Sequence, residues 1–169
     1  LYLIGGSFGF GMSIIIRLEL ALPGFLICSS LQYNSSITFH GIFMIFFMIM
    51  PILIGGFGNV LIPLMLCCND MIFPRLKALS LWLEIDSLFL MLLAMFFYGV
   101  FYAFWTFYVP LSLLNSSCMD LLLFSLHLAG LSSLLCYLNF IVSLLKACYL
   151  SILYSSLFLP LFPWSILFS

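Results

Sequence analysis

Charge is the scarcest thing in this sequence. Four Lys or Arg and five Asp or Glu make up 5% of 169 residues, where a soluble domain carries roughly 25%. Hydrophobic residues make up 66% and the mean hydropathy is +1.38. No packing of a chain this size hides so much apolar side chain from water, so its solvent is lipid. A net charge of −1 with no basic cluster excludes nucleic acid as a partner. Histidine occurs only twice, and no two-His metal motif, glycine-rich phosphate loop or nucleophile with a base is present. The six cysteines form no C-x-x-C pair and no zinc spacing, so they read as small hydrophobes, the vicinal Cys67-Cys68 included. The start has no initiator Met, basic n-region or cleavage site, so no signal peptide is read there. It reads as a point inside a longer protein, or as the first ordered residue of one.

Long apolar runs are what the chain has in abundance. A span needs about 20 apolar residues, and the runs fall at about 1–16, 37–66, 79–101, 120–145 and 157–169. The first is short, and the last is interrupted by Pro160 and Pro163. Lipid leaves no partner for an open sheet edge, and the runs are too long for barrel strands. The expectation is an all-α membrane protein forming one transmembrane helical bundle, with four spans and a partial fifth. All nine charges are expected at or near the ends of the runs, and Ser29 to Ser36 is expected in a polar loop. Pro51 and Gly55-Gly56 would break a water-soluble helix, but a bundle tolerates them. Arg75, Lys77 and Lys146 follow the even-numbered spans and only Arg17 follows an odd one, which puts the even exits on the inside face. Membrane lipid is therefore an expected partner. So apolar a chain is expected from a genome beside its own membrane, as in an organelle, with a bacterial inner membrane as the alternative.

A lone intramembrane histidine is a functional-site hypothesis by default. His40 stands about one turn into the second span, with Met44 and Phe47 on the same face. It can ligate a haem iron through a neutral ring nitrogen, or bond a carbonyl of a neighbouring helix. His127, on the fourth span, is a helix-packing group or the second ligand of a bis-histidine haem. Arg17 and Glu19 end the first span, either as a snorkelling cap and its partner or as groups beside a haem propionate or formyl. Asn59 lies roughly 28 Å from His40 on a straight helix, near Asp70. With Ser80, Ser132, Ser133 and Asn139, it can hold a water chain leading inward from Asp70, or each group can simply bond a neighbouring helix.

The segments RLEL, HGIFMIFFMIMPILIGGFGNVLIPLM, DMIFPRLKALSLW, WTFYVPL, FSLHLAGLSSLL and LNFI occur in that order. In that order they resemble the N-terminal portion of subunit I of haem-copper cytochrome c oxidases, from about helix one into helix five. The stretch from His40 to Trp82 is the most specific part.

The resemblance implies particular roles. The histidine of H-x-x-x-M-I-F-F is an axial ligand of the low-spin haem a, a role falling on His40. The arginine of R-x-E-L, here Arg17, binds the haem a formyl, and Glu19 contributes to a peripheral cation site. Tyr33 and Trp105 match residues around haem a. Asp70 matches the mouth of a proton pathway, with Asn59, Ser80, Ser132, Ser133 and Asn139 along it. The implied activity is reduction of oxygen to water coupled to proton pumping in the mitochondrial inner membrane. Implied partners are the rest of subunit I, the copper A subunit II, subunit III and cytochrome c as donor. The ligands of haem a3 and copper B would lie outside this chain, which cannot reduce oxygen alone. Lys77-Ala78 stand where the family has two asparagines, one of them in the proton pathway. Tyr102-Ala103-Phe104 and Val109 depart from the usual outer loop. A quinol oxidase of the same superfamily and a non-catalytic membrane scaffold are the competing readings.

Overall fold

A computed structural model describes residues 1–21, 23–24, 28–98, 103–114, 116–150 and 160–168. The expected positions 99–101, 157–159 and 169, and the departure at Tyr102, lie outside the described residues. Among the described residues the chain is helical, with no strand. Helix α1 spans Tyr2–Glu19, α2 spans Ser30–Met65, α3 spans Pro74–Leu93, α4 spans Ser116–Leu150 and α5 spans Leu161–Phe168. On length and composition, three stretches can cross a bilayer: Ser30–Met65, Pro74–Phe96 and Cys118–Lys146.

Helix α2 begins before the apolar run that starts at Ile37, which corrects the loop reading of Ser29 to Ser36. Ser29 and Gln32 form a reciprocal cap: the Gln32 amide donates to Ser29 Oγ at 3.4 Å and the Ser29 amide to Gln32 Oε1 at 3.0 Å. The hydroxyls that made the segment look loop-like turn onto the helix's own carbonyls. Ser35 and Ser36 donate to Gln32 O at 2.9 and 2.8 Å, and Thr38 to Asn34 O at 3.0 Å. The helix ends in a left-handed turn at Cys67, φ 53°. Cys68 N–H bonds Pro63 O at 3.0 Å and Cys67 N–H bonds Leu64 O at 3.3 Å, a Schellman cap. The vicinal cysteines are thus exposed capping residues rather than packed ones.

Between its ends α2 is not a regular α-helix. Phe43–Ile49 and Pro51–Gly58 wind as π-helix. Pro51 brings no N–H to the ladder, and a wider turn re-satisfies the carbonyls it frees. A π turn holds more residues than an α turn. The straight-helix distance of about 28 Å from His40 to Asn59 is therefore an upper bound.

Helices α1 and α2 cross at small residues. A Cβ added to Gly5 would sit 2.7 Å from the Phe47 carbonyl oxygen, and one on Gly9 would sit 2.8 Å from Met44 Sδ. Gly5 and Gly9 stand four apart, the small-x-x-x-small arrangement that lets membrane helices touch backbone to backbone. Lipid tails are as apolar as the helices, so this close packing rather than hydrophobicity holds the pair. Gly5→Val is expected to destabilise the crossing by about 1–3 kcal/mol, read as a lower melting temperature of the detergent-solubilised protein. Gly11→Ala meets nothing within 4 Å and serves as the unaffected control.

Helices α3 and α4 form an antiparallel pair stitched at seven-residue steps. From one end to the other, Asn139 grips Phe73, Ser132 Oγ donates to Ser80 O at 2.7 Å, Ser87 and Ser125 donate reciprocally to each other's carbonyls at 2.8 and 2.9 Å, and Cys118 Sγ reaches Ala94 O at 3.7 Å. The heptad step is that of a coiled-coil seam, with hydroxyls and an amide in place of apolar knobs.

The apolar core comes in two pieces. One packs Phe39, Ile42, Phe43 and Phe47 of α2 against Leu88 and Met91 of α3 and Met119 and Leu122 of α4. The other gathers Ile62, Met71, Cys136 and Phe140 near the α2–α3 turn. Between these levels the bundle is open. Glu84, buried, and Asp86, exposed, lie within the Pro74–Phe96 span, which corrects the expectation that every charge sits at a span end.

Candidate functional site

Two groups of side chains stand at opposite levels of the bundle. At the first, His40 turns its Nδ1 to the Gly9 carbonyl of α1 at 2.8 Å. A carbonyl only accepts, so Nδ1 carries the proton and Nε2 keeps its lone pair. His40, Met44 and Phe47 do share one face, and it packs on the glycine face of α1. The carbonyl bond that competed with ligation as an explanation of His40 therefore exists, but it occupies the other nitrogen. Trp105 packs over the neighbouring residue: a Cβ on Gly41 would meet Trp105 Cβ at 3.5 Å. Thr38 ties the segment carrying Trp105 to α2 by sharing its hydroxyl proton between the Asn34 and Ala103 carbonyls.

Arg17 is exposed about 12 Å along α1 from Gly9, and Tyr33 about 10 Å back along α2 from His40, at 1.5 Å per residue. Because the helices run antiparallel, both displacements point the same way. Tyr33 and Glu19 line one pocket of about 570 Å3 at that end. Glu19 is buried and its Oε2 accepts the Cys28 amide at 3.2 Å. Burial, with the Glu19 carboxylate beside it, pushes the Cys28 thiol above its ordinary value. His127 is exposed and bonds Leu123 O of its own helix at 2.6 Å. Among the described residues no three His, Cys, Asp or Glu converge as a metal centre.

The second level holds a cavity of about 580 Å3 between α2, α3 and α4. Asp70, Asn59, Ser80, Ser132 and Ser133 all line it, so five of the six residues expected along one path do share a wall. Asn139 does not. It is buried where α4 meets the start of α3, accepting Phe73 N–H at 3.2 Å and donating to Phe73 O at 3.1 Å. Most hydroxyls at this level are also committed to carbonyls: Ser80 to Lys77 O at 2.8 Å, Ser133 to Gly130 O at 2.8 Å, and Ser132 across to Ser80. Their oxygens remain acceptors. Pro51, Gly55 and Gly56 give α2's wall little side chain, and Phe46 and Met50 of α2 line the cavity together with Leu1 and Tyr2.

Asp70 stands at the wet end. Its Oδ1 accepts the Met71 amide at 2.8 Å and meets Lys77 Nζ at 3.4 Å. That amide first, and the ammonium second, hold its carboxyl below the usual carboxylate range. Lys77 also reaches Asn59 O at 3.5 Å, so the cation joins the mouth to the α2 wall. Asn59 donates to Gly55 O at 2.9 Å and to Cys136 Sγ at 3.6 Å.

Glu84 is the lining residue that sequence reading missed. Its signal was a carboxylate well inside an apolar run, overlooked because it was counted with the charges at span ends.

Comparison with known proteins places the chain. Residues 1–169 match the family described as Cytochrome C and Quinol oxidase polypeptide I. The chain is similar to cytochrome c oxidase subunit 1 of Yarrowia lipolytica, 44% identical over 99% of this chain and 32% of that protein. It is 46% identical to the Mytilus edulis subunit over 80% of this chain and 25% of that protein, and 43% identical to the Pecten maximus subunit over 95% and 34%. The chain spans at most about a third of the length of these relatives. With its helical membrane architecture and a match along its whole length, the chain belongs to the family of cytochrome c and quinol oxidase polypeptide I.

Proposed function

We propose that this chain forms the N-terminal part of a cytochrome c oxidase subunit I in the mitochondrial inner membrane, where it holds one side of the low-spin haem a and the inner proton-uptake path. The observation that carries the reading is the His40 imidazole, fixed by Gly9 in the tautomer that presents Nε2. Metal-ligating histidines commonly commit their other N–H to a backbone carbonyl in this way, which sets ring orientation and raises ligand basicity. His40 would hold a haem iron through Nε2, with Tyr33, Trp105 and Arg17 as surroundings and Glu19 for a peripheral cation. When bound, haem a supplies one-electron redox chemistry at its iron. The chain's own work is to orient the imidazole, to hold water off with the Phe39–Phe47 core, and to admit protons from Asp70 past Asn59, Ser80, Ser132 and Ser133.

Haem a3, copper B and the second haem a ligand belong in this reading to the rest of subunit I. The copper A subunit II, subunit III and cytochrome c complete the set of partners.

The relatives are cytochrome c oxidases, while the family as described also holds quinol oxidases. The detergent-solubilised complex containing this chain is expected to consume oxygen with reduced cytochrome c and not with a quinol. Turnover with quinol alone would move the chain to the quinol branch. A complex with neither activity nor haem would leave a membrane scaffold.

A further inference from the structure

The geometry points to Glu84 as a protonatable carboxyl that takes up protons inside the cavity opening at Asp70. This rests on the uptake-path reading given above.

Glu84 is 9% exposed, and its Oε1 is buried without a hydrogen-bond partner. It lies in the wall of the same cavity as Asp70 and Lys77. One helix rise of seven residues separates it from Lys77, about 10 Å along α3. A carboxylate buried in a span is costly unless paired, and such groups in membrane proteins mark proton and ion paths. Among the described residues no cation is paired with Glu84, and Lys77 is held at the mouth by Asp70 at 3.4 Å and Asn59 O at 3.5 Å.

The facing helix presents an acceptor rather than a donor. Ser132 lines the same cavity as Glu84, and its hydroxyl proton is committed to Ser80 O at 2.7 Å. Its oxygen retains lone pairs that a protonated carboxyl in this cavity can use. The step is a simple proton transfer. A proton from the aqueous side passes Asp70 and cavity water to a Glu84 oxygen, giving a neutral carboxylic acid. Its later release restores the carboxylate, and no electron moves. Leu1, Tyr2, Phe46 and Met50 also line this cavity. Glu84 is positioned as the farthest carboxyl from the mouth in this cavity.

The test uses the assembled oxidase complex. Infrared difference spectra on redox cycling are expected to show a deuterium-sensitive carboxylic C=O band that Glu84→Gln abolishes and Glu84→Asp shifts. Turnover is expected to fall roughly tenfold in the Gln variant and to recover in part with Asp. Glutamine preserves shape and polarity, so a purely structural Glu84 would leave both readouts unchanged. An unchanged band and unchanged turnover in Glu84→Gln, with Asp70→Asn still slowed, would overturn the Glu84 assignment alone. Unchanged turnover in Asp70→Asn would overturn the path and, with it, this proposal.

Discussion

Replacing His40 by alanine is expected to remove the low-spin haem from the assembled complex altogether. The reduced-minus-oxidised absorbance of haem a should vanish while other haem bands persist, and turnover with cytochrome c should be lost. Two effects are entangled in that variant, because alanine also deletes the 2.8 Å bond to Gly9 that joins α1 to α2. His40→Asn separates them. An asparagine amide can still donate toward the Gly9 carbonyl, but it has no imidazole Nε2. If His40 is a ligand, both variants lack haem a and the alanine variant melts earlier than the asparagine one. If His40 is merely a helix fastener, the asparagine variant keeps its haem. Haem a at normal stoichiometry in His40→Asn would end the ligand assignment. Gly9 enters the same argument through its backbone, since the carbonyl survives any substitution there but the approach that places it does not.

How far the sequence could be read depended on which property each residue expressed. Hydropathy and the scarcity of charge were enough for a helical membrane bundle, because lipid leaves the backbone so few choices. His40 was legible for the same reason: a titratable ring in an apolar run stands out. The π turns of α2 were not, because Pro51 says where the ladder is interrupted and not how the freed carbonyls are re-satisfied. Ser29 to Ser36 reads as a loop because a hydroxyl looks polar in sequence, yet it can donate its proton one turn back on its own helix. The α3–α4 seam went unrecognised for a related reason. Ser80, Ser132 and Asn139 were singled out for polarity, but the seven-residue steps that pair them with carbonyls also include Ser87, Ser125 and Cys118, which looked unremarkable. Asn139 marks the difference most clearly: its polarity serves the Phe73 backbone and not the cavity.

Asp70→Asn is expected to slow oxygen consumption on the order of tenfold or more, with KM for cytochrome c unchanged. A positioned proton-transfer group contributes about 10²–10⁴-fold, and cavity water can replace part of that. The variant keeps the Met71 amide bond through its side-chain oxygen, so the mouth retains its shape and loses only its charge and its proton site. Donor binding is expected on the opposite face, which is why kcat alone should move. The pH response separates this role from a structural one. Asp70 has a lowered folded pKa, so its stabilising contribution is present above the unfolded carboxylate value and is lost as pH falls through the lowered one. Near neutral pH Asp70 is therefore ionised, and with Lys77 beside it the mouth carries a neutral ion pair. Lys77→Asn removes the second cause of the lowering and leaves the first, the Met71 amide. Asp70 should then titrate higher, while the melting temperature barely changes because so exposed a pair contributes little. Turnover insensitive to Asp70→Asn at every pH would remove the aspartate from proton uptake and leave Asp70–Lys77 as a surface ion pair at a helix turn.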